Sequence, residues 1–204
     1  MPLLIKICGV TTADDAAMAV EAGAGAIGVN LWAGSKRHVG PEAARSVLDA
    51  VPPGVLKVGV FVNAGAAAIA RAIDELGLDR AQLHGDEQAA DYATLDARRL
   101  IKAVRVRDEA SIAAAFPWSP ALWLYDAFVD GFGGGGVAAP WPVIARAARR
   151  PFVLAGGLTP DNVAAGIRAT HPDGVDVASG VERRPGAKDP AKVAAFVAAA
   201  RGAI

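Results

Sequence analysis

The chain has one cysteine in 204 residues, so it cannot close an internal disulfide, which fits a reducing compartment. No cluster of histidine and cysteine stands at zinc-ligand spacing. An excess of charge is missing too. Twenty-one Lys+Arg face 21 Asp+Glu for a formal net charge of zero, which argues against a general nucleic-acid binder and leaves room for a local cationic pocket. Apolar runs are broken by Gly, Pro or charge well short of the ~20 residues that a membrane helix needs. The amino terminus lacks the basic region, apolar core and cleavage site of a signal peptide. A soluble cytoplasmic protein, with no membrane or nucleic-acid partner, is the expectation.

What is present is a regular alternation. Leu3-Leu4-Ile5-Lys6-Ile7-Cys8-Gly9 is a short apolar run rich in branched residues, the pattern of a buried strand, and it ends on the sole cysteine. Thr12 and Asp15 then have the spacing of a capping box, opening a helix over 13–22 with Gly23 past its end. Further strands are expected over 26–31, 55–62, 79–83, 99–104, 121–125, 152–155 and 174–178. Between them come helices over 41–50, through the stripe Ile69, Ile73 and Leu76, briefly after the fourth strand, over 108–116, and from about 140. Thr159-Pro160-Asp161 is expected to start a helix, and Asp189-Pro190 the last one, with Val193, Phe196, Val197 and Ala200 on its buried face. Eight βα units over 1–204 without a visible boundary predict a single (β/α)8 barrel, with a doubly wound sheet as the alternative.

Ligands of such barrels bind at the carboxyl ends of the strands, and the residue types there invite chemistry. Leu154-Ala155-Gly156-Gly157-Leu158 and Val177-Ala178-Ser179-Gly180-Val181 each end a strand in small residues. Loops after strands seven and eight commonly cradle phosphate through backbone N–H groups, to which the Ser179 hydroxyl adds a donor. Cys8 and Asp126 close strands at the same rim. A buried cysteine is commonly an inert small hydrophobe and a turn aspartate a backbone cap. An acid beside Leu122, Trp123, Leu124 and Tyr125 is expected to hold its proton, and a thiol facing it can serve as a base if it is helped to ionise. If Cys8 faces the interior, Lys6 does too, one layer lower, and Asp176 on the last strand is expected to pair with it. Arg37, in a polar loop after strand two, has the geometry to clamp a carboxylate. Gln82 and His84 share a face and can meet an aromatic ligand or each other. His38 and His171 look like loop residues.

Lys6-Ile7-Cys8-Gly9, Ser35-Lys36-Arg37-His38-Val39, Val58-Gly59-Val60-Phe61, Gln82-Leu83-His84-Gly85, Leu154-Ala155-Gly156-Gly157-Leu158, Val175-Asp176-Val177-Ala178-Ser179-Gly180-Val181-Glu182 and Gly186-Ala187-Lys188-Asp189 run in one order across nearly the whole chain. As an ordered set they resemble the phosphoribosylanthranilate isomerase family of tryptophan biosynthesis. The resemblance implies an Amadori rearrangement of a phosphorylated small molecule, N-(5-phosphoribosyl)anthranilate, without metal or organic cofactor, by a monomer or homodimer. On it Asp126 is the acid, Cys8 the base, Arg37 the holder of the anthranilate carboxylate, and Gly156, Gly157, Ser179 and Gly180 the phosphate site. Gly133-Gly134-Gly135-Gly136 stands where the family has Gly-Gly-Thr-Gly, and Ala178 where serine is common. Two other readings are a related isomerase of histidine biosynthesis, which uses aspartate where this chain has Cys8, and a non-catalytic phosphate-binding barrel.

Overall fold

A computed structural model describes residues 2–128 and 139–203 of the chain; the glycine run 133–136 lies outside them. Eight parallel strands close into a barrel in chain order. They are β1 (Leu4–Cys8), β2 (Ala26–Asn30), β3 (Leu56–Phe61), β4 (Arg80–Leu83), β5 (Leu100–Val106), β6 (Leu122–Ala127), β7 (Phe152–Leu154) and β8 (Gly174–Val177), with β8 paired back onto β1. Helices α1 (Ala13–Glu21), α2 (Pro41–Asp49), α3 (Ala66–Glu75), α4 (Glu109–Ala113), α5 (Trp141–Ala147), α6 (Val163–Thr170) and α7 (Pro190–Arg201) make the connections. This is the expected (β/α)8 architecture rather than an open sheet. Among the described residues no helix is long and apolar enough to cross a membrane.

Strand alternation divides the apolar residues into two cores. Ala26, Val58, Ile101, Ala103, Leu124, Val153 and Ala155 fill the barrel. Their sequence neighbours, such as Ile27, Trp123, Tyr125 and Leu154, face outward and pack with Ala16, Val47, Ile69, Ile144 and Phe196 of the helices. Both faces are buried, which is why the strands read as nearly continuous apolar runs. Lys6, Cys8, Gln82, Asp126 and Asp176, on the same inner parity, lead to the site.

The structure departs from the sequence expectations in five places. Strand β6 runs on to Ala127, because β5 extends to Val106 and supplies the ladder pairs Arg105–Asp126 and Val106–Ala127; Asp126 therefore lies inside the strand rather than after it. The connection after β4 is two 3₁₀ turns, Ala89–Tyr92 and Ala97–Arg99, in place of a short helix. Tyr92 reaches the loop ahead of α3, its hydroxyl donating to the Ala64 carbonyl at 2.7 Å. Helix α6 begins at Val163, because the Asn162 side chain turns back to accept from Thr159 N (2.8 Å) and donate to the Gly157 carbonyl (3.0 Å). The capping box of α1 is half formed: Thr12 accepts from Asp15 N, while the Asp15 carboxylate accepts from Lys188 N instead (3.0 Å). That second bond belongs to an unforeseen hairpin after β8, in which β9 (Glu182–Arg184) pairs antiparallel with β10 (Ala187–Lys188).

Candidate active site

Cys8 ends β1 beside Gly28 of β2, on the inward face and at the carboxyl rim of the barrel. It is 9% exposed. One inward step lower, Lys6 is in register with Asp176, and the two side chains meet, Nζ to Oδ1, at 2.8 Å. The expected buried pair is present. Burial works against the Lys6 charge, but Asp176 and Cys8 more than offset it, so its ammonium is held more firmly than usual. Burial also pushes the Cys8 thiol up, with Lys6 and Lys188 opposing the rise and Asp176 adding to it.

Asp126 faces the interior, three strands around the rim from Cys8. Its aromatic neighbours Trp123 and Tyr125 are on the outer parity or in the outer core, so the apolar surroundings expected from the sequence are turned away from it. Its own surroundings are polar. Oδ1 accepts from Ala127 N at 2.7 Å, and Oδ2 lies 3.2 Å from His84 Nε2, within ion-pair reach although out of line for a hydrogen bond. Gln82 Nε2 is 2.9 Å from His84 Nδ1. Gln82, His84 and Asp126 therefore form one chain of contacts; the expectation that the first two share a face holds, and their partners are each other and the acid.

Arg37 already holds a carboxylate, and it belongs to the protein. Its Nε and Nη2 donate to Glu182 Oε1 and Oε2 at 2.8 and 2.7 Å, a two-point clamp. Lys188 donates to the same Glu182 (3.0 Å), to the Cys8 carbonyl (2.6 Å) and to the Ala178 carbonyl (3.1 Å). The Lys188 side chain is fully buried; burial pulls its proton affinity down and Glu182 works against that. These bonds tie the loop after β2, the end of β1 and the loop after β8 into one unit. Among the described residues, the Arg37 Nη1 edge has no hydrogen-bond partner beside the Nε and Nη2 bonds to Glu182.

The loops after β7 and β8 meet across the barrel mouth. Gly156 and Gly157 sit at φ +82° and +64°, a conformation that L side chains rarely adopt, and their N–H groups donate to no described residue. Ser179 opens a 3₁₀ turn, Ser179–Val181, beside them. A β-carbon on Gly180 would strike the Leu158 carbonyl, so the two loops touch there backbone to backbone. The expected phosphate residues thus gather at one place, next to the Cys8–Asp126 rim.

The comparison with known proteins follows the same outline. A family model described as N-(5'phosphoribosyl)anthranilate (PRA) isomerase matches residues 5–199. The chain belongs to this isomerase family. The N-(5'-phosphoribosyl)anthranilate isomerase of Pseudomonas fluorescens is 46% identical over 200 residues, covering 96% of this chain and 94% of the relative. The phosphoribosyl anthranilate isomerase structure from Thermotoga maritima superposes with a TM-score of 0.92 at 37% identity, over 98% of this chain and 99% of the other. A second solved isomerase, in complex with reduced 1-(o-carboxyphenylamino)-1-deoxyribulose 5-phosphate, gives a TM-score of 0.85 at 37% identity over the same shares.

Three further side chains hold the site together. Glu182 and Lys188 stand in the sequence only as members of longer motifs, and Asn162 follows Thr159, which has the composition of a helix cap. The signal existed for Lys188, since a lysine that directly precedes a helix-capping aspartate is held close to the barrel by the chain and, once buried, needs a partner. For Glu182, set beside Arg183 and Arg184 in what reads as a solvated charged loop, there was none.

Proposed function

We propose that the protein isomerises N-(5'-phosphoribosyl)anthranilate to 1-(2-carboxyphenylamino)-1-deoxyribulose 5-phosphate by general acid–base catalysis, with Asp126 as acid and Cys8 as base. The observation that carries this assignment is the common rim. A carboxyl group and a thiol face one barrel mouth, beside backbone N–H groups that have no partner among the described residues. Asp126 delivers a proton to the furanose ring oxygen. The C1–O bond breaks and the nitrogen lone pair forms the C1=N bond of a Schiff base. The Cys8 thiolate then takes the proton from C2, giving an enolamine that tautomerises to the ketone. The loops carrying Gly156, Gly157, Ser179 and Gly180 hold the phosphate. Arg37, its Nε side committed to Glu182, offers its Nη1 edge to the anthranilate carboxylate. His84, fixed by Gln82, keeps the Asp126 carboxyl turned toward the mouth.

The test is purified protein with phosphoribosylanthranilate, following the loss of anthranilate-type fluorescence. Turnover is expected in the wild type. Cys8→Ala and Asp126→Asn are expected to lower kcat by roughly 100- to 10,000-fold each with the fold unchanged by circular dichroism. Full turnover in both variants would refute the assigned roles.

A further inference from the structure

Cys8 has to give up its proton to act as a base, and burial opposes that. The charged groups that face its sulfur come from four elements. Lys6 is on its own strand, Asp176 on β8, Lys188 on β10, and Arg37 on the loop after β2. Arg37 and Lys188 both donate to Glu182, which is itself buried. Lys6 is different, for among the described residues its ammonium has a single carboxylate partner, Asp176. Its nitrogen and the Cys8 sulfur each lie 3.0 Å from the point where a β-carbon on Gly28 would stand, so the residue opposite Cys8 has to be small for these head groups to share one space. Lys6, Lys188 and Arg37 are positive, Asp176 and Glu182 negative. One positive charge is left over, and a thiolate at Cys8 would balance it; an uncompensated buried charge is costly.

We infer that Lys6 is a positioning residue, the counter-ion that lets Cys8 become a thiolate, and that Asp176 anchors the Lys6 ammonium against the sulfur. Its part in turnover rests on the acid–base reading above, whereas the pairing itself rests on geometry. The two neighbours pull on the thiol in opposite senses. Lys6 favours the thiolate by attraction, while Asp176 favours the thiol by repulsion and by taking up part of the Lys6 charge.

The sole cysteine makes this measurable. The titration of Cys8 is read from the ultraviolet absorbance of the thiolate, as the difference between each protein and its Cys8→Ser counterpart, and needs no substrate. In Asp176→Asn, Lys6 has only the sulfur left to pair with, and the thiol midpoint is expected to fall by on the order of one pKa unit. In the charge-balanced double variant Lys6→Met/Asp176→Asn, burial acts without that counter-ion, and the midpoint is expected to rise by a similar amount. Since neither residue belongs to the carboxylate or phosphate clamps, the double variant should lose kcat while KM holds. Midpoints that move in the same direction, or that do not move, overturn the inference; a structural role alone gives no opposite-signed pair. Opposite shifts in a protein that fails to turn over phosphoribosylanthranilate would uphold the pairing and remove the functional reading instead.

Discussion

His84 touches Gln82 through Nδ1 and faces Asp126 through Nε2, so the amide of Gln82 selects its tautomer. With the amide nitrogen donating to Nδ1, the ring proton sits on Nε2, the nitrogen 3.2 Å from Asp126 Oδ2. Removing the ring lets that oxygen swing away from the substrate. His84→Ala is expected to lower kcat by up to ~100-fold, the scale of a displaced catalytic group, with a smaller change in KM; an unchanged kcat in steady-state assays would detach His84 from the acid. Arg37 presents the complementary case. Arg37→Lys keeps the charge but loses the two-point clamp on Glu182, so KM is expected to rise more than kcat falls. Both predictions concern residues whose type and place were readable in advance; of their partners, Gln82 was readable for His84, while Asp126 and Glu182 were not. Cys8, Asp126, Arg37 and His84 stand at strand ends or on the loops that follow, where βα topology alone brings them to one rim. The bonds between them depend on ladder length and side-chain direction. Asp126 shows the difference, because two further residues of β6 and the parity of the strand changed its neighbours from apolar to polar.

The loops that hold the site are braced by elements the sequence hid. Asn162 binds back to Gly157, and Gly180 lies against the Leu158 carbonyl, so loops seven and eight form a single backbone surface. Gly180→Ala would drive them apart. We expect a stability loss of about 1–3 kcal/mol, the usual cost of overpacking, together with weaker protection by inorganic phosphate in thermal melts. A variant that keeps both would show that the loops do not support each other. Strands and most helices were legible, because apolar runs of fixed period leave few alternatives. The hairpin β9–β10 was not. Its strands are three and two residues long, too short for any period, and what stabilises it is a set of side-chain bonds to α1, β1 and the loop after β2. The start of α6 at Val163 is illegible for a related reason. Thr159-Pro160-Asp161 has the composition of a helix start, yet the Asn162 side chain is drawn to the preceding loop and delays the helix.

Closing the barrel brings the last fifth of the chain onto the first. Lys188 reaches the Cys8 carbonyl, and Glu182 reaches Arg37, so one ionic knot joins the two ends of the molecule at its functional face. Its pH dependence follows from Glu182. Burial alone would raise that carboxyl, but the bonds from Arg37 and Lys188 outweigh burial and hold it below the usual carboxylate range. In the unfolded chain it returns to an ordinary value of about 4.3. Below that value the unfolded state binds the proton that the folded state still refuses, so protonation favours unfolding. The stability this group contributes is therefore complete above about pH 4.3 and is lost as pH falls through its lower folded value. Glu182→Gln leaves Arg37 and Lys188 without their carboxylate, and the variant is expected to melt lower than wild type at neutral pH. Having nothing left to titrate at that position, its melting temperature should then fall less steeply than that of the wild type on acidification. Parallel melting curves for the two proteins from neutrality down to about pH 3 would mean that the knot does not titrate with folding.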